Sequence, residues 1–265
     1  MFLLQYFFLS MFGLLVGTFG TMLGVGGGFI HVPFLILVFN FLPQDAIGTS
    51  IGIIFFNTLA GSTIYFFRKR LNVYMATQLS FYAIPGATIG PFIVQQYTNS
   101  TFSVMLSGLL VVVSYYLFFM QKKLRGQMAD HTFVATGDDR KDAEQFNLKL
   151  GKIGTLGIGF LSNLFGVGGG IIHVPFMVMA MKMPLHIVLG TSHMVLCVSS
   201  FIGMCVFFIL DNVQVDFMMP IALGAIIGAR IGAELAGRLP VDVIRKVLAW
   251  TLLVVAIKLL VSSVI

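Results

Sequence analysis

Charged side chains are scarce in this sequence, since only 10% of its 265 residues are Asp, Glu, Lys or Arg, against about 25% in an ordinary soluble domain. Hydrophobic residues make up 58%, and the mean hydropathy is +0.98. A soluble protein of this length cannot bury so much apolar surface. The composition therefore predicts an integral membrane protein. Its net charge of +6 would suggest nucleic-acid binding in a soluble protein. In a membrane protein, basic loops at the cytoplasmic surface explain the same charge. We therefore expect the lipid bilayer as a partner and no nucleic acid.

The sequence also lacks the patterns that usually indicate an enzyme or a metal centre. Its two cysteines, Cys197 and Cys205, lie in an apolar run without any CxxC or Cys/His spacing, and we interpret them as small packing residues. No paired carboxylates and no nucleophile–base set occur in the apolar segments. We therefore expect no catalytic activity, no metal and no cofactor.

The few charges are concentrated at one place in the chain. Twelve of the 26 charged side chains lie between residues 121 and 152. The flanking blocks are apolar and together have room for about 8–10 helical segments, because a full span needs roughly 20 residues. We divide the chain into a first membrane repeat (1–120), a charged linker (121–152) and a second membrane repeat (153–265).

The two apolar blocks are copies of one design. Residues 24–33 recur as residues 166–175 with nine of ten positions identical, an offset of 142 residues. At the same offset, the Ile-Gly-Thr-Ser of residues 47–50 returns as the Leu-Gly-Thr-Ser of residues 189–192. The chain is therefore a tandem duplication.

The charges of the loops predict how the two copies are oriented. Residues 68–70 are all basic, whereas their counterpart at 211–216 has no basic residue. The next loop shows the reverse, with no basic residue at 95–100 and three at 238–246. Because Lys and Arg collect on the cytoplasmic side, this exchange predicts an all-α polytopic protein of two inverted-topology repeats. The linker is then cytoplasmic and both termini lie outside.

This topology requires an odd number of crossings before residue 68. Residues 2–67 contain three hydrophobic pieces, interrupted near residue 26 and near residue 43. Three crossings satisfy the requirement. A single crossing by residues 46–67, preceded by a re-entrant pair that enters the membrane and returns, satisfies it equally. The sequence leaves both arrangements open.

The consecutive glycines of each copy predict a broken helix inside the membrane. Glycine costs about 1 kcal/mol in a helix interior, and irregular backbone at membrane depth survives only where protein buries it or a polar cavity accepts it. A helix that restarts after the break presents free N–H groups and a positive dipole end. Two inverted copies would bring two such ends together near the midplane, as a site for a small anion. The alternative is that the glycines only permit close helix crossing. The candidate donors are Gly26, Gly27 and Gly28, with Gly168, Gly169 and Gly170.

The doubled Gly-x-Gly-Gly-Gly-x-x-x-Val-Pro pattern (24–33 and 166–175), the Gly-Thr-Ser that follows each copy and the charged central loop together resemble the sulfite exporter TauE/SafE family. The resemblance covers essentially the whole chain. It implies a multi-spanning carrier of the prokaryotic inner membrane for small sulfur-containing anions such as sulfite, thiosulfate or organosulfonates.

Repeat-equivalent polar side chains close to the breaks are the candidate substrate ligands. The histidines can donate to an anion or titrate during transport, or they can simply hold the broken backbone. The hydroxyls suit an oxyanion that has no fixed countercharge, or they bond back to the preceding helical turn. These candidates are His31 and His173, Thr49 and Ser50, and Thr191 and Ser192.

Three further residues are secondary candidates. Asn163 precedes the second break, where it can cap a helix end or contact the ligand. His193 follows Ser192 without a counterpart in the first copy. Arg230 is a basic residue inside an apolar segment, and it can hold an anion or pair with Glu234 one turn later.

The sequence therefore predicts a transporter that exposes a midplane anion site alternately to the two sides of the membrane. A passive channel for small anions and a carrier of a non-sulfur organic anion are the alternatives. A coupling proton or cation and assembly into a homo-oligomer are left open.

Overall fold

The computed structural model describes residues 2–119, 138–236 and 241–264. Residues 121–137 of the predicted linker and Arg238 lie outside these ranges. Within them the chain forms eleven helices and no strand, which confirms the predicted all-α class. The helices, in chain order, are α1 (Phe2–Leu23), α2 (Gly28–Phe39), α3 (Pro43–Phe67), α4 (Val73–Val94), α5 (Asn99–Phe119), α6 (Asp139–Glu144), α7 (Leu148–Phe165), α8 (Gly170–Met179), α9 (Leu185–Ile209), α10 (Val215–Leu235) and α11 (Val241–Val264).

Helix α7 begins within the segment that we assign to the charged linker. Helix α7 begins at Leu148, five residues before the predicted boundary at 153. The side chain of Asn147 accepts a hydrogen bond from the N–H of Leu150 at 3.1 Å, and an asparagine cap of this kind starts a helix even where lysines follow.

Several helices have the length and surface of membrane spans. In the described part of the chain, four apolar helices are long enough to cross a membrane: residues Leu4–Leu23 of α1, and α3, α9 and α10. Large apolar side chains are widely exposed, among them Ile209 at 82% and Phe67 at 78%. Such a surface is suited to lipid and not to water.

The two halves pack by exchanging equivalent partners. Helices α1–α5 correspond to α7–α11. Helix α1 packs along α10, and its equivalent α7 packs along α4, the equivalent of α10. Helix α3 contacts α9 and α10, α9 contacts α3 and α4, and α5 packs on α11. The arrangement therefore has an internal pseudo-two-fold symmetry.

The direction of α3 and α9 shows that the repeats are inverted. Gly48, near the start of α3, packs against the backbone of Asn212, which follows the end of α9. Gly190, near the start of α9, packs against the backbone of Arg70, which follows the end of α3. These two equivalent helices are antiparallel, so the pseudo-two-fold axis runs across the helices, as inverted-topology repeats require.

The basic loop 68–70 defines one end of the helix bundle, which we call the Arg68 end. Here Arg68 Nη2 lies 3.5 Å from Glu234 Oε1 at the end of α10. The described part of the linker is at the same end, because Asn72 Nδ2 donates to the carbonyl of Asp139 in α6 at 2.9 Å. Two segments that the charge pattern assigns to one side of the membrane therefore lie together.

Loops 95–98 and 211–214 form the opposite end, which we call the Asp211 end. Gln95 Nε2 donates to Asn212 Oδ1 at 2.5 Å, and Asn212 Nδ2 donates to Asp45 Oδ1 at 3.2 Å. Both loops have no basic residue, and the charge pattern assigns both to the outside.

Helices α2 and α8 are half-length. With 12 and 10 residues, they extend about 18 and 15 Å at 1.5 Å per residue, whereas the hydrocarbon core is about 30 Å thick. Helix α2 begins beside Ile54 in the middle of α3, and Phe39 at its end packs against Phe217 at the Asp211 end, with ring centroids 4.8 Å apart. Helix α1 runs parallel to α10 away from that end. The α1–α2 pair therefore enters the bundle and returns, which is the re-entrant arrangement.

Candidate functional site

The two glycine breaks form loops at the centre of the bundle. We call residues 24–27 the first glycine loop and residues 166–169 the second. Both loops place glycines at three equivalent positions in the left-handed region, which other L-amino acids adopt only with strain. The fold therefore demands glycine here whatever the loops bind. These residues are Gly24, Gly26 and Gly27, with φ of 77°, 82° and 88°, and Gly166, Gly168 and Gly169, with φ of 65°, 79° and 44°.

The two loops contact each other crosswise. Gly28 packs against the carbonyl of Gly166, and Gly170 packs against the carbonyl of Gly24, so a Cβ atom at either position would overlap backbone. Because α2 and α8 begin at this contact and run to opposite ends, their N-termini converge from opposite directions. Each N-terminus carries a partial positive charge.

Some of the predicted backbone donors are already used inside the loops. The N–H of Gly26 donates to the carbonyl of Gly20 at 3.2 Å, and the N–H of Gly170 donates to the carbonyl of Gly168. Among the described residues, no acceptor is bonded to the N–H groups of Gly27, Gly28, Gly168 and Gly169. Four of the six predicted donors are therefore free.

A chain of buried hydrogen bonds joins the second half to the first glycine loop. His173 Nε2 lies 3.1 Å from Thr155 Oγ1, and His173 Nδ1 lies 3.2 Å from Ser192 Oγ. Ser192 Oγ donates to the carbonyl of Gly24 at 3.3 Å. All three side chains are fully or almost fully buried.

A small cavity lies beside this chain, between α4, α7, α8 and α9. It adjoins the second glycine loop, because Gly169 packs on the side chain of Ser162. It has room for about one water molecule, and its surface is almost entirely apolar. Hydroxyls and one imidazole are the polar groups among its lining residues. The lining residues are Thr155, Ser162, His173 and Ser199, with Ala83, Ile158, Gly159, Val195 and Leu196.

The equivalent region of the first half is built differently. The positions that match Thr155 and Ser162 are Gly13 and Gly20, and both pack against neighbouring backbone. His31 matches His173 and is fully buried, but neither ring nitrogen has a hydrogen-bond partner among the described residues. At the described positions of the first half that match the polar lining, two of the four residues are glycines and the histidine has no hydrogen-bond partner, so the polar lining is a feature of the second half.

The composition, the inverted repeats and the paired glycine loops agree with the comparisons with known proteins. A family model described as sulfite exporter TauE/SafE matches residues 9–259. The chain belongs to this family.

Similar proteins are transporters by name. The chain is 26% identical over 269 residues to the probable membrane transporter protein YunE of Bacillus subtilis (strain 168), across 97% of this chain and 98% of that protein. It is 28% identical over 184 residues to the probable membrane transporter protein MJ0441 of Methanocaldococcus jannaschii, across 68% of this chain and 64% of that protein. No solved structure matches it. The protein is thus a membrane transporter of the TauE/SafE family, a family of transporters and not of enzymes.

The structure separates the two Thr-Ser pairs of this transporter into different roles. Ser50 Oγ donates to the carbonyl of Gly166 at 2.9 Å, just as Ser192 donates to Gly24. Thr49 instead accepts from the N–H of Gln214 at 3.0 Å, and Thr191 accepts from the N–H of Asn72 at 3.3 Å. The threonines therefore fix the starts of α10 and α4 and do not face the glycine loops. Adjacent helical residues point about 100° apart, which is why sequence neighbours of Ser50 and Ser192 need not share their surroundings.

Two of the secondary candidates of the TauE/SafE chain lie away from the loops and the cavity. Arg230 Nε is 3.8 Å from Glu234 Oε1, and the Arg230 side chain is 78% exposed. Of its two predicted roles, the structure shows the intrahelical ion pair with Glu234. His193 is buried against Tyr65, and its Nδ1 lies 3.1 Å from the carbonyl of Leu189.

Asn163, the third secondary candidate, belongs to a repeated pair that sequence reasoning missed in part. Its Nδ2 donates to Ser199 Oγ at 3.0 Å. At the equivalent positions, Thr21 Oγ1 donates to Asn57 Oδ1 at 3.2 Å, and Asn57 Nδ2 donates to the carbonyl of Gly26 at 3.1 Å. Asn57 and Ser199 could have been found, because both are polar residues at matching places in apolar copies. Thr155 could not, since its counterpart is a glycine.

The centre of the transporter contains almost no fixed charge. Among the side chains that the structure describes, the one buried Asp, Glu, Lys or Arg is Asp142, in the short helix α6 of the linker. The loops and the cavity therefore offer neutral donors and histidine to a ligand.

Proposed function

We propose that the transporter carries a small oxyanion, most simply sulfite or a related sulfur-containing anion such as thiosulfate or an organosulfonate. The observation that carries this proposal is the convergence of two helix N-termini at the contact between the glycine loops. Free N–H groups and a positive dipole end attract anions wherever they occur in proteins. The family description names sulfite, and the geometry supports a ligand of the same kind.

The binding site in this proposal combines the second glycine loop with the adjoining cavity. The N–H groups of Gly168 and Gly169, which have no acceptor among the described residues, would donate from the loop, which adjoins the cavity at Ser162. The hydroxyls of Thr155, Ser162 and Ser199 would donate from the lining of the cavity. A sulfur oxyanion has several oxygens that each accept hydrogen bonds, so it suits a site with many neutral donors. A helix N-terminus contributes about 0.3–1 kcal/mol, and up to about 2 kcal/mol when partly buried. The resulting weak affinity suits a carrier that must release its load.

The packing of the bundle supports alternating exposure of this site. The first glycine loop connects α2 to α1, and the second connects α8 to α7. Both α1 and α7 pack mainly on the other half. One unit is therefore α1–α2 with α10, and the other is α7–α8 with α4. A rocking motion of one unit against the other would open the loop contact first to one end and then to the other.

A thermal-shift panel in detergent tests the substrate class. Sulfite, thiosulfate, sulfate, methanesulfonate, acetate and chloride are each added over a range of concentrations. Because stabilisation grows with the ratio of ligand concentration to Kd, even weak binders raise the Tm at high concentration. We expect the sulfur oxyanions to raise it and chloride to have no effect. A clear shift with acetate and none with any sulfur anion would overturn the substrate class.

A further inference from the structure

The hydrogen bonds around His173 follow one order when the Ser192 hydroxyl donates to the first glycine loop. Ser192 Oγ donates its proton to the carbonyl of Gly24 at 3.3 Å, and a carbonyl oxygen has no proton to give. His173 Nδ1, 3.2 Å from the same hydroxyl oxygen, must then be the donor in its own bond to Ser192. A neutral imidazole carries one proton. His173 Nε2 is therefore the acceptor, and Thr155 donates to it at 3.1 Å.

This order directs the hydroxyl proton of Thr155 away from the cavity. Thr155 and His173 both line the cavity, but in the neutral state the proton of the hydroxyl is committed to Nε2. Protonation of the ring reverses the bond, because Nε2 then donates to Thr155 Oγ1. The hydroxyl proton of Thr155 is released to point into the cavity. One proton on His173 thus supplies both a positive charge and a new donor to a bound anion.

Among the described residues, no other charged group bonds to His173 or lines the cavity. Helix α7 contributes Lys149 and Lys152, and the Nζ of Lys152 lies 5.2 Å from the centre of the Tyr82 ring of α4. The other titratable side chains of the surrounding elements are Tyr74 of α4 and His186, His193, Cys197 and Cys205 of α9. The first glycine loop contributes none. Within the described residues, none of these groups bonds to His173 or lines the cavity. An anion that entered alone would be an uncompensated charge in a nonpolar interior, which is strongly unfavourable.

We propose that the transporter binds its oxyanion together with one proton, that His173 holds this proton, and that Thr155 turns its hydroxyl into the cavity to donate to the anion. This inference rests on the function proposed above and specifies its coupling. The proton enters from the side to which the cavity is open and leaves with the anion on the other side. The first half does not provide an equivalent, because Gly13 occupies the position of Thr155 and His31 has no hydroxyl partner.

The test is calorimetric titration of the detergent-solubilised protein with thiosulfate. Thiosulfate keeps its double negative charge between about pH 6 and 8, so any proton taken up on binding goes to the protein. Repeating the titration at one pH in buffers of different ionisation enthalpy counts the protons taken up. We expect about one proton per thiosulfate, and an affinity that falls as the pH is raised, as linkage requires. Thiosulfate binding without proton uptake would overturn this inference and leave the proposed function standing. Failure of every oxyanion to bind would overturn both.

Three variants locate the proton. His173→Gln should bind thiosulfate without proton uptake. Thr155→Val should retain His173 but bind about tenfold more weakly, because it lacks a hydrogen bond to a charged ligand. Thr88→Val is the matched control, since its hydroxyl bonds back to the carbonyl of Ile84 at 2.9 Å, and it should resemble the wild type in both respects. Unchanged proton uptake in His173→Gln, or wild-type affinity in Thr155→Val, would overturn the inference. The second variant keeps the test decisive if the first does not fold.

Discussion

Gly27 and Gly168 each combine a backbone conformation that favours glycine with a free N–H group. Their φ angles of 88° and 79° are open to glycine and strained for other L-residues, and their N–H groups have no acceptor among the described residues. The first property is needed to fold the loop, and the second makes the loop able to bind an anion. The alternatives of a structural and a binding role are therefore not exclusive at these positions.

Replacement of Gly168 by alanine should destabilise the protein by about 1–3 kcal/mol, the usual cost of a strained backbone conformation. Gly157→Ala in α7 is the matched control, because nothing lies within 4 Å of a Cβ atom there. Alanine should stabilise that helix by up to about 1 kcal/mol. Thermal unfolding in detergent measures both, and equal Tm values for the two variants would contradict the account.

The two threonines of the Thr-Ser pairs should affect stability and not binding. In Thr191→Val the buried N–H of Asn72 loses its acceptor, which costs about 1–3 kcal/mol. We expect a lower Tm with an unchanged Kd for thiosulfate. Ser192→Ala should instead raise the Kd, because the ring of His173 loses the partner that orients it. A variant Thr191→Val with normal stability and weakened binding would show that the threonine contacts the ligand after all.

At the scale of helices, the sequence predicts where the breaks lie but not how the chain continues after them. The triple glycines locate both loops to within a residue, because several neighbouring φ angles of this kind strain every residue type except glycine. The return of α2 toward the Asp211 end could not be predicted, since an apolar run of 12 residues fits a half-span or part of a crossing. Its length becomes decisive only when Phe39 is seen against Phe217.

Loops 95–98 and 211–214 should be cross-linkable. In a background without Cys197 and Cys205, the pair Gln95→Cys and Asn212→Cys should react with a short bifunctional maleimide, because the native side chains are hydrogen-bonded at 2.5 Å. The pair Gln95→Cys and Lys69→Cys is the control and should not react, since Lys69 lies at the Arg68 end. Gel mobility after proteolysis between the cysteines distinguishes the two. Cross-linking of the control pair alone would contradict the antiparallel packing of the halves.

For the whole molecule, comparison of the two repeats predicts the inverted architecture but does not predict the cavity of the second half. The motif offset and the exchange of loop charges are properties that both halves share, and they suffice for the arrangement of α3 and α9. The cavity depends on a difference between the halves, namely Thr155 against Gly13. A single sequence gives no reason to single out a threonine whose equivalent is a glycine, and its partner His173 is 18 residues away.

The predicted orientation in the membrane rests on the basic loop at the Arg68 end. Cysteines introduced at Thr98 and Val213 should react with a membrane-impermeant maleimide added to intact cells, whereas a cysteine at Lys69 should react only after permeabilisation. Labelling of positions 98 and 213 from opposite sides would contradict the structure. Labelling of both from the cytoplasm alone would reverse the predicted orientation.

Counterflow in proteoliposomes tests the central claim, alternating exposure of an oxyanion site, most directly. Vesicles loaded with unlabelled sulfite are diluted into a trace of ³⁵S-sulfite, with Thr155→Val and Thr88→Val reconstituted in parallel. The account predicts a transient accumulation of label above equilibrium, reduced in Thr155→Val and unchanged in Thr88→Val. Label that only equilibrates, at a rate independent of internal sulfite, would indicate a passive channel. That result, or uptake no faster than in protein-free vesicles, would contradict the account.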